Sequence, residues 1–475
     1  MVAVPTSLRS YDELDGPPGL PLLGNLLQLR FDHFHLILER WADTYGPLYR
    51  FRIGPRKLAA VSDPDVIKRM HRERPDMFRR TRSVEAATRE MRLKGVFSSE
   101  GDDWRRQRKI VAMALNTAHL KPFFPKLQVT TTRLLRRWER AADAGTTLDL
   151  CRELMRFTVD VTTQLAFGID FNTLETDGPV IQHNLDKVFP ILNWRVNAPF
   201  AYWRYLRLPR DRALDHALDE LEGQVDDIIQ EVHRRMAADP SLFEAPTNFL
   251  EAMIAAQQAE GIGFSDADVF ANVCTLLLAG EDTTANTIAW TVNYLLEYPQ
   301  HCARARAEVD GVLGSAPIAE AIEQTHEFPF VEAFYNEAMR LKPVAPINAM
   351  EPLQDVEMLG HVIPRGTVVM LLNRRIATRD ENFGHAATFD PERWMHHDDA
   401  RTEPHDTTTF LPFGTGPRFC PGRNLALLQI RTVLSMLLRN FDVEFASPRQ
   451  AVEEQLAFAM RPVNLNVRLH RRVQA

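Results

Sequence analysis

The run from Ser265 to Glu297 constrains the fold more than any other part of the chain. Ser265 with Asp268 three residues on has the form of a capping box, and the helical pattern continues unbroken until Pro299. At 1.5 Å per residue, about 33 residues make a rod of roughly 50 Å, long enough to cross a whole domain. The rest of the chain must wrap around it. Midway, "LLLAGEDTTANTIAW" (276–290) sets Glu281, Asp282, Thr283 and Thr284 into an otherwise apolar stretch. Buried polar groups cost free energy unless something pairs with them, so chemistry is expected at the middle of this helix.

The chain has 475 residues, 45% hydrophobic and 25% charged, which allows a large core and differs from disordered or fibrous composition. No Gly/Ser linker, low-complexity tract or repeat divides it. Residues 1–475 are therefore expected to form one domain, with 1–30 as a Pro/Gly-rich lead-in. A net charge of −7 and a pI near 6.1 give no general attraction to phosphate backbones, so no nucleic-acid partner is expected. The start "MVAVPTSLRSYDELDG" lacks the basic and apolar regions of a signal peptide, and no run of about 18 apolar residues occurs; a cytoplasmic, soluble chain without a membrane anchor follows as the expectation.

Four cysteines, Cys151, Cys274, Cys302 and Cys420, show no CxxC spacing and suit a reducing compartment. Cys274 falls in an apolar helical pattern and is expected in the core; Cys151 and Cys302 border charged helices and are expected to be structural. Elsewhere, "YRFRIG" alternates Tyr49, Phe51 and Ile53 against Arg50 and Arg52, as a half-buried strand does, and Gly54-Pro55 turns it into a second strand, "KLAAV". Pro364-Arg365-Gly366 is expected to join "GHVI" and "TVVML" as a hairpin. Between Pro64 and about residue 340 the pattern is mostly helical, so the class is mainly α with minor β.

Cys420 stands apart. In "FLPFGTGPRFCPGRNLALLQIRTVLSMLLRNF" (410–441), a loop stiffened by Gly414, Gly416 and Pro417 enters a helix, and the cysteine sits at its N-terminus, where amide N–H groups favour a thiolate. By position alone it is equally well a plain loop cysteine at a helix cap. The string Phe413-Gly414-x-Gly416-x-Arg418-x-Cys420-x-Gly422 resembles the haem-binding signature of the cytochrome P450 superfamily. The resemblance implies the P450 fold, a long central helix over a buried haem b with small β-sheets, and Cys420 as thiolate ligand of the iron. Glycines, Gly422 among them, would bring the backbone close to the porphyrin, amides would tune the sulfur, and Phe413 would shield it from water.

Further segments follow in the family's order. Ala279-Gly280-Glu281-Asp282-Thr283-Thr284 is similar to its oxygen-activation motif, in which small residues leave room above the iron, Thr283 steadies bound oxygen and Asp282 relays protons through water. A threonine in a helix can instead simply bond back to the carbonyl four residues earlier. Glu337 and Arg340, with Arg393 in "FDPERW", resemble a structural triad. Trp104 and Arg108 at i, i+4 and Arg418 beside the cysteine are similar to residues that hold haem propionates, a task suited to guanidinium groups. Arg105, Arg106 and Lys109 are read as a solvated face, or with Arg423 as a docking patch for an acidic electron donor.

Two departures accompany the resemblance. Met350 falls where many members carry a second propionate arginine, and Gln429 stands where a glutamate is frequent. "GPPGLPLLGN" is similar to the segment that follows the anchor of microsomal members; either the chain is a soluble, bacterial-type enzyme or an anchor was removed, and the Met1 start favours the first. By resemblance the pocket is lined by Val84, Phe97, Ala279, Thr283, Val344, Ile347, Phe458 and Ala459. The aromatic span 189–206, with Trp194, Phe200, Tyr202, Trp203 and Tyr205, is either an access lid or core packing. Arg89, Arg92 and Arg195 are candidates for a substrate carboxylate, with solvated surface preferred for each.

The resemblance implies a monomeric monooxygenase that places one oxygen atom from dioxygen into a hydrophobic small molecule. Electrons would come from a separate ferredoxin or flavodoxin with an NAD(P)H reductase. The alternatives are a haem-thiolate enzyme that uses peroxide or rearranges its substrate without dioxygen, and a non-catalytic haem sensor.

Overall fold

The capping box at Ser265 forms: its hydroxyl accepts from the Asp268 N–H (3.2 Å) and the Asp268 carboxylate accepts from the Ser265 N–H (2.9 Å), opening the central helix Asp266–Glu297. Pro299 ends it and opens the next helix, Pro299–Leu313, at a position where a missing N–H costs nothing. The computed structural model describes residues 8–472 apart from 116, 177–187, 189, 190, 193, 197, 199, 200, 259–263, 396–402 and 448–450. Helices Leu150–Phe167, Pro329–Leu341 and Arg423–Asn440 surround the central rod, whose Val273, Cys274, Ile288 and Ala289 have no exposed surface. Gly280 permits close approach of helix Leu150–Phe167. A Cβ there would stand 2.9 Å from the Thr162 hydroxyl and 3.0 Å from its methyl on helix Leu150–Phe167.

The β part flanks this helical mass. Strands β1 (Leu48–Ile53), β2 (Arg56–Val61), β3 (Phe78–Arg80), β4 (Asn348–Pro352) and β5 (Val368–Leu371) form a sheet in the order β1-β2-β5-β4-β3. Only β2 and β5 are parallel. Tyr49 and Phe51 are buried on one face of β1, as the alternation predicts. In the last ladder Arg80 lies directly opposite Met350.

The expected hairpin does not form. The turn at Pro364–Gly366 exists, closed by Thr367 N–H to Pro364 carbonyl at 3.1 Å. It joins two sheets rather than two neighbours: His361–Ile363 pairs with Val356–Met358 and with Arg9–Ser10, while both edges of β5 are taken by β2 and β4. Hydrogen-bonding edges already filled by other strands, near and far in the chain, override a local turn. Among the described residues no helix is long and apolar enough to cross a membrane.

Candidate active site

The cysteine loop is built by two backbone constraints. Gly414 and Gly416 have φ of +69° and +70°, a left-handed conformation that side chains rarely adopt. A Cβ on Gly416 would also stand 2.5 Å from the His71 carbonyl, so this glycine lets the loop approach helix Pro64–Arg72. The Cys420 N–H closes the loop on the Phe413 carbonyl at 2.9 Å. Helix Arg423–Asn440 starts three residues after the cysteine, and the N–H groups of Gly422 and Arg423 point to the sulfur. Burial pushes the thiol pKa up, and those amides with the Arg108 charge oppose it. A ligand metal would complete the thiolate.

Cys420 faces a cavity of about 790 Å³. Phe413, Gly414 and Gly422 line its base with the cysteine, and Ala279, Gly280 and Thr283 of the central helix lie across it. Val84, Phe97, Val344, Ile347, Phe458 and Ala459, drawn from three distant segments, supply an apolar wall. Phe97 and Phe458 meet with ring centroids 5.9 Å apart.

One end of the cavity is cationic. Trp104 and Arg108 project into it from one face of helix Gly101–Ala114, and the Arg418 guanidinium lies 4.5 Å from the Trp104 ring centre. Arg418 donates to the Ser99 carbonyl (2.6 Å) and to Glu100 (2.7 Å). Arg74, Arg80 and His71 also line this end, none of them singled out by the sequence. The Nε atoms of Arg74, Arg80 and Arg418 and Nε2 of His71 are buried without a hydrogen-bond partner. Burial holds His71 down to about 4, so it is neutral near pH 7. The orphaned guanidinium donors of Arg74, Arg80 and Arg418 at this end call for an anionic guest.

The polar break in the central helix has a regular arrangement. Thr283, Thr287 and Thr291 each donate a hydroxyl to the carbonyl four residues back, each at 2.8 Å. This is the back-bonding alternative for Thr283, and the hydroxyl still borders the cavity. Its O–H is committed to Ala279, so its oxygen faces a guest as an acceptor. Asp282 is half-buried and Glu281 buried; the Asp282 carbonyl accepts from Asn286 Nδ2 at 2.7 Å. Gly280 touches the cavity, yet its missing side chain serves helix packing against Thr162.

Below the cysteine, the distant Glu337, Arg340 and Arg393 come together. Glu337 accepts from Arg340 Nη2 (2.7 Å), Arg393 Nε (3.0 Å) and Trp394 Nε1 (2.9 Å). Arg340 also donates to the carbonyls of Ala377, Ala386 and Thr388. Glu337 and Arg340 have fully buried side chains. The network pins the segment before the cysteine loop to helix Pro329–Leu341.

Other sequence candidates lie elsewhere. Arg195 is not solvated: it is buried, 3.3 Å from Asp211, with its guanidinium over Trp203. Arg92 pairs with Asp219 and Glu222, and Arg89 is exposed. None of the three lines the cavity. In the aromatic span, Trp194, Tyr202 and Trp203 form a mutual cluster, Tyr205 is exposed, and Phe200 lies outside the described residues. Leu192 and Val196 border the cavity. Trp203 and Arg204 donate to Glu90, at the end of helix Arg82–Glu90. The basic face is largely neutralised: Arg105 pairs with Asp76 and Asp102, and Arg106 with Asp103.

Among the described residues no group of three or more His, Cys, Asp or Glu gathers to hold a metal. A metal on Cys420 must therefore bring its other ligands with it, and the cationic end asks that its carrier bear carboxylates. A planar apolar macrocycle with propionates meets both demands, and the class so defined is the haem-thiolate proteins. The cytochrome P450 family model matches residues 14–469, and the chain belongs to the cytochrome P450 family. It is an oxidoreductase of the monooxygenase type, with cysteine-ligated haem b as cofactor.

Similar proteins span this family. Cytochrome P450 714C3 of Oryza sativa subsp. japonica is 27% identical over 429 residues, covering 88% of this chain and 80% of its own length. Cytochrome P450 3A6 of Oryctolagus cuniculus is 25% identical, with 92% and 87% covered. A bifunctional cytochrome P450/NADPH–P450 reductase of Fusarium oxysporum is 27% identical over 94% of this chain, which spans 41% of that longer protein. The crystal structure of the cytochrome P450DA heme domain superposes with a TM-score of 0.85 over 98% of both chains at 24% identity, a likeness of fold.

Proposed function

We propose that this P450 inserts one oxygen atom from dioxygen into a hydrophobic small molecule, by hydroxylation or epoxidation, and releases the other as water. Haem held by Cys420 supplies the dioxygen chemistry, with the thiolate donating electron density to the iron. Trp104, Arg108 and Arg418 hold its propionate end, while Phe413 and Gly414 close the side facing the cysteine. Two electrons and two protons balance the reaction. A separate ferredoxin or flavodoxin with an NAD(P)H reductase supplies the electrons; some relatives carry a reductase in the same chain. The four free cysteines are in keeping with a reducing cytoplasm.

The observation that carries this reading is the placement of Thr283 and Cys420 on one cavity, from opposite elements. Thr283 offers an acceptor to a guest while its own O–H rests on Ala279. Asp282, the residue before it and half-buried, relays protons from solvent towards the cavity, where Thr283 accepts a hydrogen bond from the guest. The wall from Val84 to Phe458 selects apolar substrates because its own side chains are apolar; of the cavity's guanidinium groups, that of Arg80 reaches it, over the Phe97 ring.

Thr283→Ala is expected to bind haem and substrate normally, to divert reducing equivalents to peroxide and to lower product formation by roughly 10²-fold. Product, peroxide and NAD(P)H consumption measured together check this; full coupling in the variant would refute the proton role. A spectral titration of the ferric protein with fatty acids, terpenoids, steroids and indoles then identifies the substrate class.

A further inference from the structure

The hairpin that carries Phe458 is held from outside the cavity. Its strands, Glu453–Leu456 and Met460–Val463, form a sheet of two, and a two-stranded hairpin is only marginally stable by itself in water. Gln455, Leu456, Ala457, Phe458 and Ala459 all border the cavity, and Phe458 meets Phe97 there. The second strand is tied to the body through its main chain: the Met460 N–H donates to the Val344 carbonyl (2.8 Å), and Trp290 Nε1 donates to the Met460 carbonyl (3.3 Å). The first strand is tied through the side chain of Glu454, four residues before Phe458. That carboxylate accepts from Arg374 Nη1 (2.6 Å), from His35 Nε2 (2.9 Å) and from Lys342 Nζ.

The partners of Glu454 come from separate parts of the fold. His35 lies on helix Phe34–Tyr45, Lys342 follows helix Pro329–Leu341 with its ammonium 5.1 Å from the Trp290 ring centre, and Arg374 belongs to the short helix Asn373–Ala377. Arg374 is buried and forks onto Glu39 of helix Phe34–Tyr45 with bonds of 2.9 and 2.5 Å, which leaves Nη1 for Glu454. Burial raises the Glu454 pKa, but the His35 bond and the Arg374 and Lys342 charges outweigh burial and hold the carboxyl well below the ordinary carboxylate range. Arg374 and Lys342 thus match Glu39 and Glu454 in charge, and none of the four lines the cavity. Charge-assisted bonds at the base of a short hairpin fix where its tip stands. We propose that Arg374 and Lys342 are positioning residues: through Glu454 they set Phe458 against Phe97, and so determine how tightly the cavity holds the apolar body of its substrate.

The proposal rests on the reading of haem at Cys420 with an apolar guest beside it, and the two fail separately when plain imidazole is compared with N-dodecylimidazole on the ferric holoenzyme. Both bind haem iron through nitrogen and are followed by the Soret shift, but only the second carries an apolar tail to meet the wall. Glu454→Gln keeps the shape of the side chain and removes its charge. It is expected to weaken N-dodecylimidazole about tenfold, the scale of an aromatic contact, and imidazole by less than about twofold. In a Phe458→Ala background the same change is expected to add less than about twofold, because the residue it positions is gone. Unchanged binding of N-dodecylimidazole in Glu454→Gln overturns the proposal, as do an equal loss for imidazole and an undiminished loss in the Phe458→Ala background. An imidazole shift missing from the parent overturns the haem reading itself, and the proposal with it. If Glu454→Gln does not accumulate as holoprotein, Arg374→Lys replaces it, since lysine cannot fork onto Glu39 and still reach Glu454: the same tail-dependent loss supports the proposal, and its absence overturns it.

Discussion

The two sides of the cavity are held by different physics. Below Cys420, Glu337, Arg340 and Arg393 bond one another with no access to water, and the loop above them takes a left-handed turn at Gly414 and Gly416. On the far side, helix Arg82–Glu90 and the aromatic span are joined through Glu90, and Arg92 reaches helix Pro209–Ala238 through half-exposed ion pairs. Buried charge networks cost several kcal/mol to break, while solvated pairs contribute less than about 1 kcal/mol. The cofactor side is thus fixed by buried charge throughout, whereas the far side combines solvated pairs at Glu90 and Arg92 with a buried pair, Arg195–Asp211.

Glu337→Ala should break the fixed side most severely. It leaves two arginines buried and unpaired, with an expected loss of about 3–5 kcal/mol and of most bound haem. Urea unfolding and haem content measure it, and a loss below about 1 kcal/mol would remove the contrast between the two sides. A smaller effect sharpens the role of the roof: Gly280→Ala drives a Cβ into Thr162 and should cost about 1–3 kcal/mol. Thr162→Ala removes both atoms that meet the new Cβ, so the double variant should recover most of that loss in thermal unfolding. No recovery would mean that Gly280 serves the cavity rather than the helix contact. Smallest of all, Glu90→Gln should change stability by less than about 1 kcal/mol yet speed substrate exchange, read by stopped-flow spin-state change. Equal exchange rates would show that Glu90 takes no part in access.

The sequence announced the chemistry better than the electrostatics. Cys420, Thr283 and the Glu337 group were legible because their neighbours form spaced patterns that survive in linear order. The central helix was legible from its cap and its terminating proline. Arg80 was not, since in "DMFRRTRS" nothing distinguishes the arginine that enters a cavity from the two beside it. That depends on which strand lies opposite, a fact of tertiary pairing. Arg195 was misjudged for the same reason: its partner Asp211 lies on another helix. The pairing of Pro364–Gly366 also escaped, because the edges of the two strands are shared out among the nearby Asn348–Pro352 and Val356–Met358 and the distant Arg9–Ser10 and Arg56–Val61.

The file of threonines along the central helix has a mechanical side. Each hydroxyl at 283, 287 and 291 shares a carbonyl that the main chain also uses, and such sharing weakens the helix and favours bending. Three sharings in succession spread that compliance over more than two turns instead of concentrating it at a hinge. That compliant stretch begins where the helix borders the cavity, at Thr283 and Thr287. Replacing Thr283 and Thr287 with valine would stiffen the beam and silence its acceptors in one stroke, because there its give and its reactivity reside in the same oxygens.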